Sequence, residues 1–408
     1  MGESIRKQFG PETYQLVERT RKNMKSIRAA DHKTAARMLE KVQKEYAGAE
    51  SQKLKDVAHS FSLMLELINR CESAYRYFRL QGKEHKDFEQ KPYATIFVFT
   101  AHPTEARSPE ILQIYQEIYK LLIQALNKGQ KLVEDKLRFY LNLSLNVSMA
   151  RSAKPTVEDE AHYLYSYILR DEIVTQQIQF AKKGITVNFR SWVGGDKDGH
   201  PGVNEKTMIM SLNLSRNKLV GWIRLRLLKL SKDLSYLNGR EKDIERIQEL
   251  LKLLPSLRKV KDGDGERVVE FKNKLKSLGP SLAKTKMSFP DFEDISTLLW
   301  LYPAIVLPLE VREDAELVHE ALKNEKLTIY KMLEKLKSIS LGYKAKWYVR
   351  GFILSMSESA EDVDAGLKLA KKTLGSYAIP VAPLFETAFA LENATAILAK
   401  YFEKNPSV

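Results

Sequence analysis

Four features of the sequence could do chemistry. His102 sits in the turn Thr100-Ala101-His102-Pro103-Thr104-Glu105. Pro103 biases His102 away from helix and sets up a bend. An imidazole with an ordinary pKa of about 6.5 can act as a base or as a donor. For a lone histidine the competing role is structural, a ring held by hydrogen bonds. The run Gly194–Gly202 holds four glycines and two aspartates in nine residues. Glycines allow positive φ and close approach of the backbone, and the aspartates can bind metal or fix the loop itself. The run is not a dinucleotide fingerprint or a Walker A loop, which needs Gly-Lys followed by Ser or Thr. It also lacks the ligand spacing of an EF-hand. Arg312 follows an apolar run, where its forked guanidinium could hold phosphate or carboxylate in two bonds. Glu386 follows another apolar run and suits Mg²⁺ or Mn²⁺, although one carboxylate does not make a divalent site.

The elements that must position these residues can be read from hydrophobic period. Residues 1–92 read as a helical region, with apolar residues at three- and four-residue spacing through KTAARMLEKVQKEYA and LKDVAHSFSLMLELINRCESAYRYF. Five short apolar, β-rich runs follow at 93–100, 185–192, 304–311, 348–356 and 378–385, and each predicts a buried strand. Helical stretches separate them, and no Asn-Gly or Asp-Gly hairpin joins any two. That order predicts parallel pairing through right-handed crossovers. Helical sequence spans about 110–149, a further helix is predicted to start at Pro155, and 259–269 reads as a loop. Each strand candidate is followed at once by one of the polar residues above or by Ser355-Met356-Ser357. In parallel α/β folds ligands bind beyond the C-terminal strand ends, so the five ends are expected to converge on one site.

The formal net charge is +14. Residues 205–290 hold 20 Lys/Arg against 10 Asp/Glu, most of the excess. Their charges alternate with leucines, as in NKLVGWIRLRLLKLSKDL, which describes the wet face of amphipathic helices. No zinc finger, RNP-like run or basic–aromatic ladder points to nucleic acid. No apolar run reaches the ~18 residues a membrane helix needs, and the N-terminus carries no secretory signal. The single cysteine, Cys71, excludes an internal disulfide and a cysteine metal cluster. A reducing, cytoplasmic compartment is the natural expectation.

Six motifs then carry a resemblance. FVFTAHPTE (97–105), AKPTVEDEA (153–161), FRSWVGGDKDGHP (189–201), LPLEVRED (307–314), ILSMSESAEDV (353–363) and VAPLFETAFALENA (381–394) occur in the order found in phosphoenolpyruvate carboxylases of the bacterial and plant type. The first and third are highly specific, and the resemblance runs from about residue 20 to the end. The resemblance implies a helix-rich α/β fold, an elaborated (β/α)8 barrel. Here it is cut to about five strands at 93–408, with large helical insertions including a basic one at about 205–300.

The implied activity joins phosphoenolpyruvate and bicarbonate to give oxaloacetate and phosphate, with Mg²⁺ or Mn²⁺, feeding the tricarboxylic acid cycle. His102 matches the catalytic histidine of the carboxyphosphate step. Arg312 matches a phosphate-holding arginine, and Gly194, Gly195, Asp196 and Lys197 match the substrate loop. Glu386 matches one of two carboxylate metal ligands.

Departures accompany the match. Ser108 and Pro109 stand where the family has paired arginines tied to sugar-phosphate activation. Lys197 replaces the family's usual arginine and His200 its usual asparagine. The motifs of the family's C-terminal half, including its second metal carboxylate and a mobile glycine-rich loop, do not occur here. The expectation is therefore half of such an enzyme, working with a C-terminal half polypeptide or in a homo-oligomer. The alternative is a catalytically degenerate homologue kept as a binding or regulatory subunit. Five strands cannot close an eight-stranded barrel, so the first and fifth are expected to be sheet edges.

Overall fold

The computed structural model describes residues 1–81, 93–100, 107–149, 155–341, 343–375 and 379–404. They fall into two compact units, 1–88 with 103–154, and 89–102 with 155–408.

The first unit is helical. Its elements are α1 (Gly2–Ala29), α2 (His32–Tyr46), α3 (Ser51–Gln81), α4 (Pro109–Lys128) and α5 (Glu134–Asn146). Gly10, at φ +86°, kinks α1 just before Pro11. Leu16, Val57, Leu63, Ile111 and Tyr115 form its core. Ser108 and Pro109, the departures from the arginine pair, start α4: Ser108 is the N-cap and its hydroxyl accepts from the Ile111 N–H at 3.3 Å. Pro109 takes the first turn, where a missing N–H costs nothing.

The second unit holds a curled half-barrel of five parallel strands, ordered as in the chain. They are β1 (Tyr93–Phe99), β2 (Ile185–Ser191), β3 (Leu309–Asp314), β4 (Val349–Ser355) and β5 (Val381–Pro383). The first and last are edges, as the strand count requires. β1 pairs with β2 along its whole length, yet Ile96 and Phe97 are about half exposed, 49% and 51%. Between β1 and β2, within this unit, run α6 (Val157–Ile168) and α7 (Asp171–Lys182). A long insertion of α8 (Glu205–Ser235), α9 (Glu241–Leu257), α10 (Asp264–Lys276), α11 (Gly279–Ala283) and α12 (Pro290–Leu301) separates β2 from β3. The crossover helices α13 (Ala315–Ala321), α14 (Thr328–Ile339), α15 (Ala360–Leu374) and α16 (Ala388–Lys404) complete the unit.

Four boundaries differ from the sequence expectation. β3 lies at 309–314 rather than 304–311, because Pro308 has no N–H for the ladder and Ile305 adopts φ +56°. β5 shrinks to three residues between Pro380 and Pro383 for the same reason. Helix α6 begins after Thr156, not at Pro155. Thr156 and Asp159 form a reciprocal capping box there. Within the expected loop 259–269, α10 already begins at Asp264.

Asp264 explains that last difference. It is fully buried and meets the fully buried Arg216 of α8, Nη2 to Oδ2 at 2.7 Å. Arg216 also donates to the carbonyls of Leu257 (2.7 Å) and Ile305 (3.1 Å). Asp264 accepts from Tyr348 (2.8 Å) and Arg267 (2.6 Å). The other cations of α8, such as Lys218, Arg224 and Lys229, lie on its exposed face, while Leu212, Leu219, Ile223, Leu227 and Leu230 are buried. The basic excess is therefore mostly a solvated helix surface.

Removing one partner of a buried pair leaves an uncompensated charge and costs about 3–5 kcal/mol. Asp264→Ala is expected to lose stability on that scale in urea denaturation, whereas Lys218→Ala should stay within about 0.5 kcal/mol of the parent. Equal effects of the two substitutions would show that the buried pair does not hold the insertion to the sheet.

Candidate active site

The C-terminal ends of β2, β3 and β4 and the segment after β5 bring together most of the residues picked from sequence. Beyond β2 the chain does not leave the sheet. The Arg312 N–H donates to the Gly195 carbonyl at 2.9 Å, and the Lys197 N–H donates to the Arg312 carbonyl at 3.0 Å. The glycine run thus continues β2 alongside β3. Gly195 lies so close to β3 that a Cβ there would sit 2.2 Å from the Glu310 carbonyl oxygen. Gly194 adopts φ +87°, and a Cβ would meet Ser211 of α8 at 2.6 Å. Protein fills the space beside both glycines, so each is demanded by backbone packing. Asp196 accepts from the Gly199 N–H at 2.9 Å, and His200 Nδ1 accepts from the Gly202 N–H at 2.9 Å, which closes the loop on itself.

Arg312 sits at the centre. Its Nη2 lies 2.9 Å from Glu386 Oε1 and 3.0 Å from Asp198 Oδ2, and its Nε lies 3.9 Å from Asp196 Oδ1. The guanidinium carbon stands 5.1 Å from the centroid of the Trp192 ring, within cation–π range. Trp192 is itself fixed, donating from Nε1 to Glu310 at 2.9 Å, and Arg190 binds the other oxygen of Glu310 at 2.7 Å. The Arg312 side chain is only 14% exposed, and among the described residues its buried Nε has no hydrogen-bond acceptor. The second oxygen of Glu386 accepts from the Met356 N–H at 3.0 Å, which ties the end of β4 to the segment after β5.

Glu386, Asp196, Lys197, Gly194, Gly195 and Arg312 are thus gathered, while His102 lies outside the described residues. The sequence gives Asp198 only a metal-binding or loop-fixing role shared with Asp196 and gives Trp192 none, yet both stand against Arg312. The alternation of Asp196 and Asp198 around Lys197 was the available signal. Both carboxylates lie within 4 Å of the guanidinium.

The fit to a divalent cation is poor. Among the described residues no group of three or more His, Cys, Asp or Glu side chains could hold a metal ion. Three carboxylates do converge, but on the Arg312 guanidinium, and both oxygens of Glu386 are already bonded to protein. Burial pushes the Asp196 carboxyl above its ordinary range, partly offset by the Gly199 N–H and by Arg312. Burial also raises Glu313, on the opposite face of β3 from Arg312, to about 7.

Comparison with known proteins decides the family. A family model described as phosphoenolpyruvate carboxylase matches residues 1–96 and 91–294. The chain belongs to the phosphoenolpyruvate carboxylase family. It is 24% identical to the phosphoenolpyruvate carboxylase of Tolumonas auensis, across 98% of this chain and 57% of that protein. It is 24% identical to that of Actinobacillus pleuropneumoniae, across 76% and 37%. It is 26% identical to that of Pseudomonas aeruginosa, across 53% and 29%. The chain spans little more than half the length, or less, of these phosphoenolpyruvate carboxylases. No helix among the described residues is long and apolar enough to cross a membrane.

The raised carboxyl makes a pH test. Folded Glu313 keeps its proton up to about 7, while the unfolded chain loses it near the ordinary value of 4.5. Between those limits the folded state binds more protons, so stability falls as pH rises. Below pH 4.5 the burial cost vanishes, and above pH 7 it is fully present. Glu313→Gln is therefore expected to match the parent in denaturation midpoint near pH 4.5 and to exceed it at pH 8. An unchanged difference across that range would place the slope elsewhere.

Proposed function

We propose that this chain takes part in carboxylating phosphoenolpyruvate with bicarbonate to oxaloacetate and phosphate, in the cytoplasm, as an anaplerotic carbon-fixing step. Arg312 is the observation that carries the reading. A guanidinium at a strand end, packed on Trp192, with a buried Nε lacking an acceptor, offers a donor aimed at an anion. A phosphate oxygen would satisfy it. Glu386 and Asp198 would then loosen their hold on Nη2, freeing a second donor for a bidentate contact.

The chemistry divides into two steps. A bicarbonate oxygen attacks phosphorus, the bond from phosphorus to the enol oxygen breaks, and carboxyphosphate and the enolate of pyruvate result. Carboxyphosphate then gives up phosphate, and its carbon bonds to the enolate methylene carbon to form oxaloacetate. Arg312 would hold the phosphoryl oxygens through both steps, where fixed cations stabilise the transferring charge. His102 would serve the carboxyphosphate step, as acid or base.

The local charge is against an anion as it stands. Arg312 faces Asp196, Asp198 and Glu386, one cation against three carboxylates. A phosphoenolpyruvate anion needs more positive charge than this. Arginines, and Mg²⁺ or Mn²⁺ held by oxygen donors, from beyond these described residues would supply it. A polypeptide resembling the remaining length of the relatives, or a further copy of the chain, is the partner this charge balance asks for.

The test is oxaloacetate formation from phosphoenolpyruvate, bicarbonate and Mg²⁺, followed by reduction with malate dehydrogenase. The chain is assayed alone and with a polypeptide covering the relatives' C-terminal half. Activity in the mixture is expected, with His102→Asn lowering turnover by about 10²-fold or more while phosphoenolpyruvate binding persists. Arg312→Ala should instead weaken phosphoenolpyruvate binding by at least about tenfold. Binding that responds to Arg312→Ala without any turnover would favour the degenerate, ligand-binding homologue. No binding and no turnover would overturn both.

A further inference from the structure

The basic insertion carries a cavity of its own. It measures about 880 Å³ and lies between α10 and α12, lined by Phe292, Leu299, Trp300 and Pro280 together with Lys272 and Lys276. No acidic side chain lines it. The volume falls in the range of small-molecule sites, about 300–1,000 Å³, which are mostly apolar with a few placed polar groups.

Its two lysines are one helical turn apart on α10 and so share a face. Lys272 is half-buried, and its neighbours bring no negative charge. Its ammonium lies 3.4 Å from the Pro303 carbonyl and 4.4 Å from the centroid of the Trp347 ring. Among the described residues neither Lys272 nor Lys276 has a carboxylate partner. Lys274, between them, does: its ammonium lies 3.8 Å from both Glu249 and Glu270. Trp300 is 59% exposed at the rim, a large apolar surface for a single surface residue. A cation partly stripped of water beside an apolar wall attracts an anion that carries its own apolar body.

We propose that this cavity binds a small amphiphilic anion, an acyl or aromatic body ending in one carboxylate-like charge. The body lies against Phe292, Leu299 and Trp300, and the charged end meets Lys272 and Lys276. Burial alone holds the Lys272 ammonium below its ordinary value, which is the mark of a charge without a counter-charge. Trp347 lies two residues before β4, and Pro303 lies six residues before β3. The ligand would therefore act at the N-terminal ends of the strands, the opposite end from Arg312 and Glu386. The proposal stands whether or not the chain carboxylates phosphoenolpyruvate.

The full chain is titrated by calorimetry with decanoate below its micelle concentration, and in parallel with 1-decanol, decyltrimethylammonium and inorganic phosphate. Trp fluorescence is followed in the same samples. Decanoate is expected to bind at least about tenfold more tightly than any of the other three, with a blue shift that Trp300→Leu removes. Lys272→Met and Lys276→Met together should abolish the preference over 1-decanol and leave the melting temperature unchanged. Lys274→Met should leave the preference intact. Equal binding of decanoate and decanol, binding of phosphate as tight as decanoate, or an unaltered preference in the double variant would each overturn the proposal. So would the absence of decanoate binding.

Discussion

The backbone of Gly195 lies against that of Glu310 more closely than any side chain would permit. Much of the candidate site hangs on that approach. β2 and β3 pair at only one position in register, Ser191 with Leu309, and beyond it the chains are held by the bonds between Gly195, Lys197 and Arg312. Where the ladder is thin, side chains bridge the gap. Glu310 takes Arg190 on one oxygen and Trp192 on the other, and so fastens the two strands on their inner face. A Cβ at position 195 would push the loop off β3. Asp196, Asp198 and Trp192 would then leave the guanidinium together. The two glycines hold the loop in place through backbone geometry.

Charge balance is the second constraint. An arginine surrounded by Asp196, Asp198 and Glu386 is well held, but the same carboxylates repel the anion it would serve. Both facts follow from one arrangement. Holding Arg312 against Trp192 with fixed acceptors limits its rotamers before any ligand arrives, which lowers the entropy cost of binding. Releasing Glu386 from Arg312 supplies a carboxylate and a donor in the same movement.

The sequence made the order of elements legible because hydrophobic period changes sharply at each strand, as at Tyr93 and Ile185. It made the site legible because chemistry-bearing residues follow the strands directly, so their convergence needed only parallel pairing. Strand ends were harder. The buried run Ala304–Leu307 looks like strand by composition, yet Pro308 and the positive φ of Ile305 move the ladder onward to the charged segment ending at Asp314. Hydrophobicity reports burial, and burial is not pairing. Arg216 and Asp264 were invisible for another reason. They are 48 residues apart on different helices, each looks like one more charge on a basic amphipathic insertion, and no local pattern marks a pair that forms only in three dimensions. The acceptors around Arg312 were half legible, since Asp196 and Glu386 stood out and Asp198 did not.

The two ends of the half-barrel are built on opposite principles. At the N-terminal ends of β3 and β4 a buried network joins two arginines, Arg216 and Arg267, to one aspartate, Asp264. Arg216, Arg267 and Tyr348 donate to Asp264, and the two arginines engage four backbone carbonyls nearby, those of Leu257, Ile305, Ser256 and Lys259, while Arg267 Nε has no acceptor among the described residues. A network of that kind holds one arrangement, because leaving any member unpaired in a low dielectric is costly. At the C-terminal ends the balance is reversed: one arginine, Arg312, stands among three carboxylates, and its buried Nε has no acceptor among the described residues. The half-barrel thus carries a cation-rich network at one end of its strands and an anion-rich cluster at the other.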